Sequence, residues 1–382
     1  VTTLSAVRDG DHPSDDIIAL VRELVLIETP SRDTEASARI ADLLSAWFAG
    51  VGGSVQRIPH ELGTDLVIDV PGTGDPVLLI GHTDTVWPVG TLADDLPWTE
   101  DGDVVRGPGA YDMKAGIVVM LEALRHLQSV PLEQRRAVRI VLVADEEIGS
   151  PVSGPLLAER ARGASCAIGF ESPHPDGALK VGRRGSARVR IAVTGRAAHA
   201  ALDPEHGVSA IDELVDQLLL ARAIVADPEL PSPVLCNVGV IDGGARTNVV
   251  PAHAAAEIGL RFRDPDSEQR VLTALQELAP VRPGARLEVA VLSARPAWQA
   301  SAEDTDLLAR IAAAGAALGQ HVDGRPAAGA GDTNLLGGKG LPTVDGFGPR
   351  GGGAHALDEH FLRSSLHERI ALLRAVLTVP AE

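Results

Sequence analysis

The sequence predicts an α/β protein with a largely parallel central sheet, helices on both of its faces, and an inserted ferredoxin-like α+β domain. Three observations carry this. Apolar strand-like runs alternate with amphipathic stretches through the first half of the chain. From about Gly185 to Pro296 the order changes to β-α-β-β-α-β, and after Pro296 the α/β rhythm resumes. At 382 residues the chain is long for one hydrophobic core. Two domains are therefore expected, the larger from residues 1–184 and 297–382 and the smaller from 185–296.

Taken in order, Ser14 is expected to cap a helix reaching Glu28, with Ile17, Ile18, Val21, Leu24 and Val25 inward, before Pro30 interrupts it. A second helix, Thr34 to Ala49, closes at Gly50. Strands are expected near Ser54 to Ile58, Asp65 to Val70, Val77 to Gly81, Val138 to Ala144 and Cys166 to Phe170, with a helix near Lys114 to Gln128. In the insert, Ala187 to Val193 alternates as a half-buried strand, Val208 to Val225 reads as a helix, and Val234 to Ile241 and Ala252 to Arg261 read as strands. Ser267 to Leu278 is a helix and Arg286 to Leu292 the closing strand. The last part supplies a helix from Asp304 to Leu318, a strand at Thr343 to Gly346 and a helix from Leu362 to Leu377.

Composition narrows the function. With 34 basic against 52 acidic residues, a net charge of −18, the chain lacks the basic surface that phosphate backbones require, and nucleic acid is excluded as a partner. No stretch approaches the length of a membrane span, and Val1 to Gly10 has no basic segment leading into an apolar one, so a soluble cytoplasmic protein is expected. Cys166 and Cys236 both sit in apolar runs and read as buried thiols.

The chemistry lies at the strand exits. Val77 to Gly81 delivers His82 and Asp84; Val138 to Ala144 runs into Asp145-Glu146-Glu147; Cys166 to Phe170 runs into Glu171. Carboxyl ends of parallel strands are where open α/β sheets place their sites. So many carboxylates on one edge either take up protons or bind a cation, and the imidazole favours a metal such as zinc. Asp112, in the turn-rich run Gly107 to Lys114, and His355, after Gly351-Gly352-Gly353, join the candidate ligands. Those three glycines form no dinucleotide fingerprint and read as flexibility around His355. Glu146 and Glu147 are adjacent and their side chains diverge, so one is free to bind metal while the other takes a proton. The remaining histidines, among them His60, His174 and His360, match no ligand position.

His82-Thr83-Asp84, the Gly-Pro-Gly-x-x-Asp-x-Lys element ending at Lys114, Asp145-Glu146-Glu147 followed by Gly149-Ser150, and Phe170-Glu171 together resemble the peptidase M20 family of dinuclear zinc hydrolases. The run Gly340 to Gly346 leading to Gly353-Ala354-His355-Ala356 looks most like its glutamate carboxypeptidase-like branch. The resemblance runs in order over nearly the whole chain and implies a zinc-exopeptidase-like fold with a lid domain that also dimerises. It implies two zinc ions per chain, with cobalt or manganese able to substitute. Asp112 would bridge them, His82 and Glu171 would complete one site, and Glu147 and His355 the other. Asp84 would orient the His82 ring, and Glu146 would be the general base.

In the insert, His199 of Thr194-Gly195-Arg196-Ala197-Ala198-His199 resembles the lid histidine that holds the oxyanion, often from the partner subunit. Asn248 and Arg261 match substrate-binding lid positions, and Arg295 matches an arginine for a substrate carboxylate. Gly331-Asp332-Thr333-Asn334 lies where the family carries Gly-x-Asp-Ala, with Thr in place of Ala.

The implied activity is hydrolysis of an amide bond adjacent to a free carboxylate in a small peptide or N-acyl amino acid, releasing a C-terminal amino acid, by a homodimer. An N-acyl-amino-acid deacylase resembling acetylornithine deacetylase or aminoacylase is the alternative within this chemistry. A metal-dependent binding protein that has lost turnover is the alternative outside it, and Glu146 favours the enzyme.

Overall fold

The computed structural model describes residues 14–379. Its central sheet has six strands in the order Ser54–His60, Gly63–Val70, Arg136–Val143, Thr73–His82, Cys166–Gly169, Thr343–Val344. Gly63–Val70 is antiparallel to both of its neighbours, and the remaining strands pair in parallel. Alternate residues of the strands face opposite ways, as the pleat requires. Leu66, Ile68, Leu79, Ile140 and Ile168 join one core with the helices Ser14–Val25, Thr34–Gly50, Ala115–Leu127 and Arg363–Leu377. Val67, Leu78, Ile80, Val141 and Ala167 join another, beneath Leu157 and Leu336 of the helices Ser153–Arg160 and Thr333–Gly337. Helices thus cover both faces.

The first helix ends at Val25, short of Glu28. The Glu28 carboxylate instead accepts from the backbone N–H groups of Gly90 and Leu92. The helix begins at Ser14, so its capping position falls outside the described residues.

The second sheet has the order Leu235–Gly243, His253–Phe262, Gly185–Thr194, Arg286–Arg295, all antiparallel. Numbered within the insert this is 2-3-1-4, the ferredoxin-like arrangement. Its helices, Ala210–Val225 and Pro265–Gln276, cover one face; Val189, Ile191, Leu214, Ile258, Leu260 and Val271 form a core separate from that of the base. Ser209 and Asp264 cap the two helices by accepting from the N–H groups of Asp212 and Ser267.

Two smaller sheets have no counterpart in the sequence reading. Leu179–Arg183 pairs with Gly324–Ala327. Thr99–Asp101, Val104–Arg106, His360–Leu362 and Gly351–Gly352 form a four-stranded ribbon. The ribbon corrects the reading of the Gly351 to Gly353 run as flexible. Gly351 lies against the His360 carbonyl so closely that a Cβ would stand 2.1 Å from its oxygen, and Gly353, at φ +73°, lies against Asp358 and Glu359. These glycines are there for close approach, and they hold the His355 loop against the ribbon.

The two links between base and lid run side by side. Arg183 and Trp298 exchange backbone hydrogen bonds of 2.8 and 3.0 Å. The fully buried Asn334 side chain donates to the carbonyls of Arg184 (3.1 Å) and Pro296 (2.8 Å), one on each link, and accepts from Gly331 N–H at 2.9 Å.

Candidate metal centre

Register brings the strand exits together. His82, the last residue of its strand, pairs with Val143, and Phe170 N–H donates to the Ile80 carbonyl, so Glu146, Glu147 and Glu171 leave the sheet beside it. Asp112 arrives from above, in the turn Ala110–Lys114 that feeds the helix Ala115–Leu127. That helix lies directly on the sheet edge: a Cβ at Gly116 would stand 2.6 Å from the Phe170 carbonyl oxygen.

Asp112 stands between the two histidines. Its Oδ1 is 3.3 Å from His82 Nε2 and its Oδ2 is 3.3 Å from His355 Nε2. Glu171 Oε1 lies 3.4 Å from His82 Nε2, and Glu147 Oε2 lies 3.3 Å from His355 Nε2. His82 is buried, whereas the His355 side chain is 51% exposed, which leaves the cluster open to solvent on that side. The other ring nitrogen of His82 is 2.9 Å from the Asp84 carbonyl oxygen and 3.5 Å from the Asp84 carboxylate. The ring is therefore oriented chiefly by the backbone of Asp84. The Asp84 carboxylate accepts from Ser31 Oγ and from the N–H groups of Glu146 and Glu147, bracing the loop that carries both glutamates.

The electrostatics of the cluster are those of a candidate cation site. Burial opposes protonation of His82, but the carboxylates of Asp112, Asp84 and Glu171 outweigh it and hold the imidazole well above its usual range. His355 is pushed up to about 10 by its contacts with Asp112 and Glu147. Asp112 is buried, which favours its neutral form, yet the two histidines hold its carboxyl well below the ordinary range. Protons on two imidazoles thus balance the carboxylates here, and a metal ion can take their place. The residues fit such an ion: Glu147 Oε1 is buried without a hydrogen-bond partner, and two sets of three ligand atoms, from His82, Asp112 and Glu147 and from His82, Glu146 and Glu171, each lie within 4.8 Å of one another.

Glu146 and Glu147 differ in what they touch. Glu146 Oε1 lies 2.8 Å from Arg295 Nη2, which also meets the Glu146 carbonyl (2.6 Å) and Asp332 Oδ1 (3.1 Å). Burial nevertheless pushes the Glu146 carboxyl well above its usual range, against the attraction of Arg295. A carboxylate already paired with a guanidinium is the poorer metal ligand of the two, and the one better placed to exchange a proton.

Arg295 is thus brought into the cluster from the end of the last lid strand. His199, Asn248 and Arg261 are not. His199 is exposed, its Nδ1 accepting from the N–H groups of Ala201 and Leu202. Asn248 lies beside it, its carbonyl accepting from Ala200 N–H. Arg261 is exposed near the end of the strand His253–Phe262, pairing with Ser186 and Leu235. No hydrogen bond or ion pair among the described residues joins these three to the cluster.

Sequence reasoning singled out the loop of Asp332 without giving it a role, although Asp332 accepts from both Ser150 and Arg295, and missed Glu359, whose buried carboxylate accepts four hydrogen bonds. The position of Glu359 four residues beyond His355 was its one available signal.

The chain is similar to known proteins over most of its length. The chain is 30% identical to carboxypeptidase G2 of a Pseudomonas species over 351 residues, covering 89% of this chain and 83% of that protein. It is 29% identical to a succinyl-diaminopimelate desuccinylase of Gluconacetobacter diazotrophicus over 371 residues, 90% and 91% of the two. Among solved structures, an M20 family metallo-carboxypeptidase from Sulfolobus solfataricus shares the fold with a TM-score of 0.73 at 17% identity, over 95% of this chain and 98% of that one. The profile of peptidase family M20/M25/M40 matches residues 78–379, and the chain belongs to that family.

Proposed function

We propose that the protein is a two-zinc hydrolase of glutamate carboxypeptidase type, cleaving the amide bond next to a free carboxylate in a small peptide or N-acyl amino acid. The observation that carries this is the placement of Asp112 between His82 and His355, with Glu146 beside the cluster but tied to Arg295. His82, Glu171 and Asp112 would hold one ion, and Asp112, Glu147 and His355 the other, with cobalt or manganese able to substitute. Metal bound there supplies Lewis acidity for the scissile carbonyl and lowers the pKa of a bound water. Glu146 would accept a proton from the attacking water and pass it to the leaving amine; its raised pKa suits a group that must hold a proton between the two steps.

Arg295 offers a cation for the substrate carboxylate, with Asn248 and Arg261 as further binding residues. His199 stabilises the oxyanion once the lid or a partner subunit brings it near.

A homodimer through the lid accounts for its outer surface. The edge strand Leu235–Gly243 leaves Val240 and Ile241 more than half exposed, and the neighbouring helix exposes Ile211, Val215 and Leu219, one turn apart. An apolar unpaired edge of this kind is ordinarily covered. No helix among the described residues is long and apolar enough to cross a membrane. Both cysteines are free thiols, which suits a reducing compartment, and we place the protein in the cytoplasm.

The test is hydrolysis, by zinc-reconstituted protein, of N-acyl and peptidyl amino acids presented as free acids and as C-terminal amides. Cleavage of the free acids, lost by about 100-fold or more on amidation, is the expected result. Equal cleavage of the amides would refute the carboxylate requirement. The likeness to desuccinylases supports one other reading, an N-acyl deacylase, which preference for N-succinyl substrates over peptides would establish.

A further inference from the structure

We propose that Glu359 is the positioning residue of the metal centre, holding the Asp112 loop and the His355 loop in the one arrangement that sets Asp112 between its two histidines. The proposal rests on the metal reading of the site given above.

Glu359 is fully buried, and among the described residues no arginine or lysine donates a hydrogen bond to it. Its carboxylate is filled by neutral donors. Oε1 accepts from the backbone N–H groups of Tyr111 (2.9 Å) and Asp112 (3.1 Å). Oε2 accepts from Gly109 N–H (2.9 Å) and from the Trp87 indole (2.6 Å). Three backbone donors of the Asp112 turn, from Gly109, Tyr111 and Asp112, thus converge on one side chain, in the way backbone nests bind anions.

The donors and the acceptor come from every loop that carries the cluster except those of the later strand exits. Trp87 follows the His82 to Asp84 segment. Gly109, Tyr111 and Asp112 are the bridging turn itself. Glu359 belongs to the His355 loop, where its own N–H donates to the Ala356 carbonyl at 2.9 Å. The ribbon strand His360–Leu362 begins at the next residue and anchors it against Val104–Arg106. Spacing between Asp112 and His355 is therefore set through Glu359, and a shift of its carboxylate would move the Asp112 Oδ atoms away from both imidazoles. Residues that support ligands in this way affect metal affinity without touching the metal.

The test is zinc binding to Glu359→Gln in the intact protein, measured by competition with a chromophoric chelator and by the visible spectrum of the cobalt-substituted form. The glutamine keeps one acceptor oxygen but turns an amine toward the other two donors. Zinc affinity is expected to fall about 10- to 100-fold while circular dichroism shows the variant folded, and the cobalt spectrum is expected to change in intensity. A role confined to folding would lower stability but leave both readings of the folded variant unchanged, and that result would overturn the proposal. Should Glu359→Gln not fold, Glu359→Asp, which keeps the charge but cannot reach both pairs of donors, is judged on the same two readings. Wild-type protein that takes up no zinc would instead overturn the metal reading, and the proposal with it.

Discussion

Asn334 holds both links between base and lid, and its replacement gives a test with little freedom in the outcome. The amide nitrogen faces the carbonyls of Pro296 at 2.8 Å and Arg184 at 3.1 Å, with Arg183 at 3.4 Å, while Gly331 N–H donates to the amide oxygen at 2.9 Å. Those partners fix which end of the amide is which. Each buried hydrogen bond contributes about 0.5–1.5 kcal/mol net, so losing two good donations and one acceptance in Asn334→Ala should cost roughly 2–4 kcal/mol. Asn334→Asp keeps the shape and the acceptor but sets an anion, or at best one proton, against carbonyl oxygens in a fully buried position. It should destabilise at least as much as alanine does, although by size it is the milder change. Urea unfolding of the three proteins decides the matter. An aspartate variant close to wild type in its midpoint would show that the amide does not clasp the links.

Further outcomes follow from the cluster and the lid. Glu146→Gln should retain metal and lose about two to four orders of magnitude in kcat, whereas Glu147→Ala should lose metal; the opposite pattern in metal analysis would reverse their roles. Two zinc ions per chain should be found in reconstituted protein, and a chelator should abolish activity in a manner reversed by adding metal; one ion per chain would refute the bridging role of Asp112. Ile241→Asp should convert a dimer to a monomer in sedimentation at micromolar concentration without unfolding the lid, because that side chain is 65% exposed in the isolated chain. A variant that sediments as wild type would place any dimer contact elsewhere.

What was legible in the sequence, and what was not, divides on a physical line. The central strands could be read because a buried parallel strand is a continuous apolar run, and the charges that end it stand out: Ile80 to Asp84 and Val143 to Glu147 are such exits. The lid strands could be read by alternation, seen in Ala187, Val189, Ile191 and Val193 all buried between exposed or half-buried neighbours. The ribbon of Thr99–Asp101, Val104–Arg106, Gly351–Gly352 and His360–Leu362 could not, since two or three residues hold no period. The roles of Glu359 and Asn334 could not be read for a related reason. Each acts by bonding to backbone groups that lie far off in the sequence, and a backbone group leaves no mark on the residue that carries it.

Arg295 shows how the two kinds of residue meet. It lies on the lid, pairing with Ser186 at the end of the last lid strand, yet its guanidinium contacts Glu146 and Asp332 of the base. Asp332 immediately precedes the helix Thr333–Gly337, which carries Asn334, and Asn334 holds the two links between base and lid. The position of Arg295 relative to Glu146 is thus set where lid and base are joined, so movement of the lid about its links must alter the field at Glu146. Burial raises the Glu146 carboxyl and Arg295 opposes the rise. Withdrawal of Arg295, toward a substrate carboxylate or with the lid itself, would therefore strengthen the hold of Glu146 on a proton. On the roles proposed for them, Arg295 would receive the substrate and at the same time govern the basicity of Glu146.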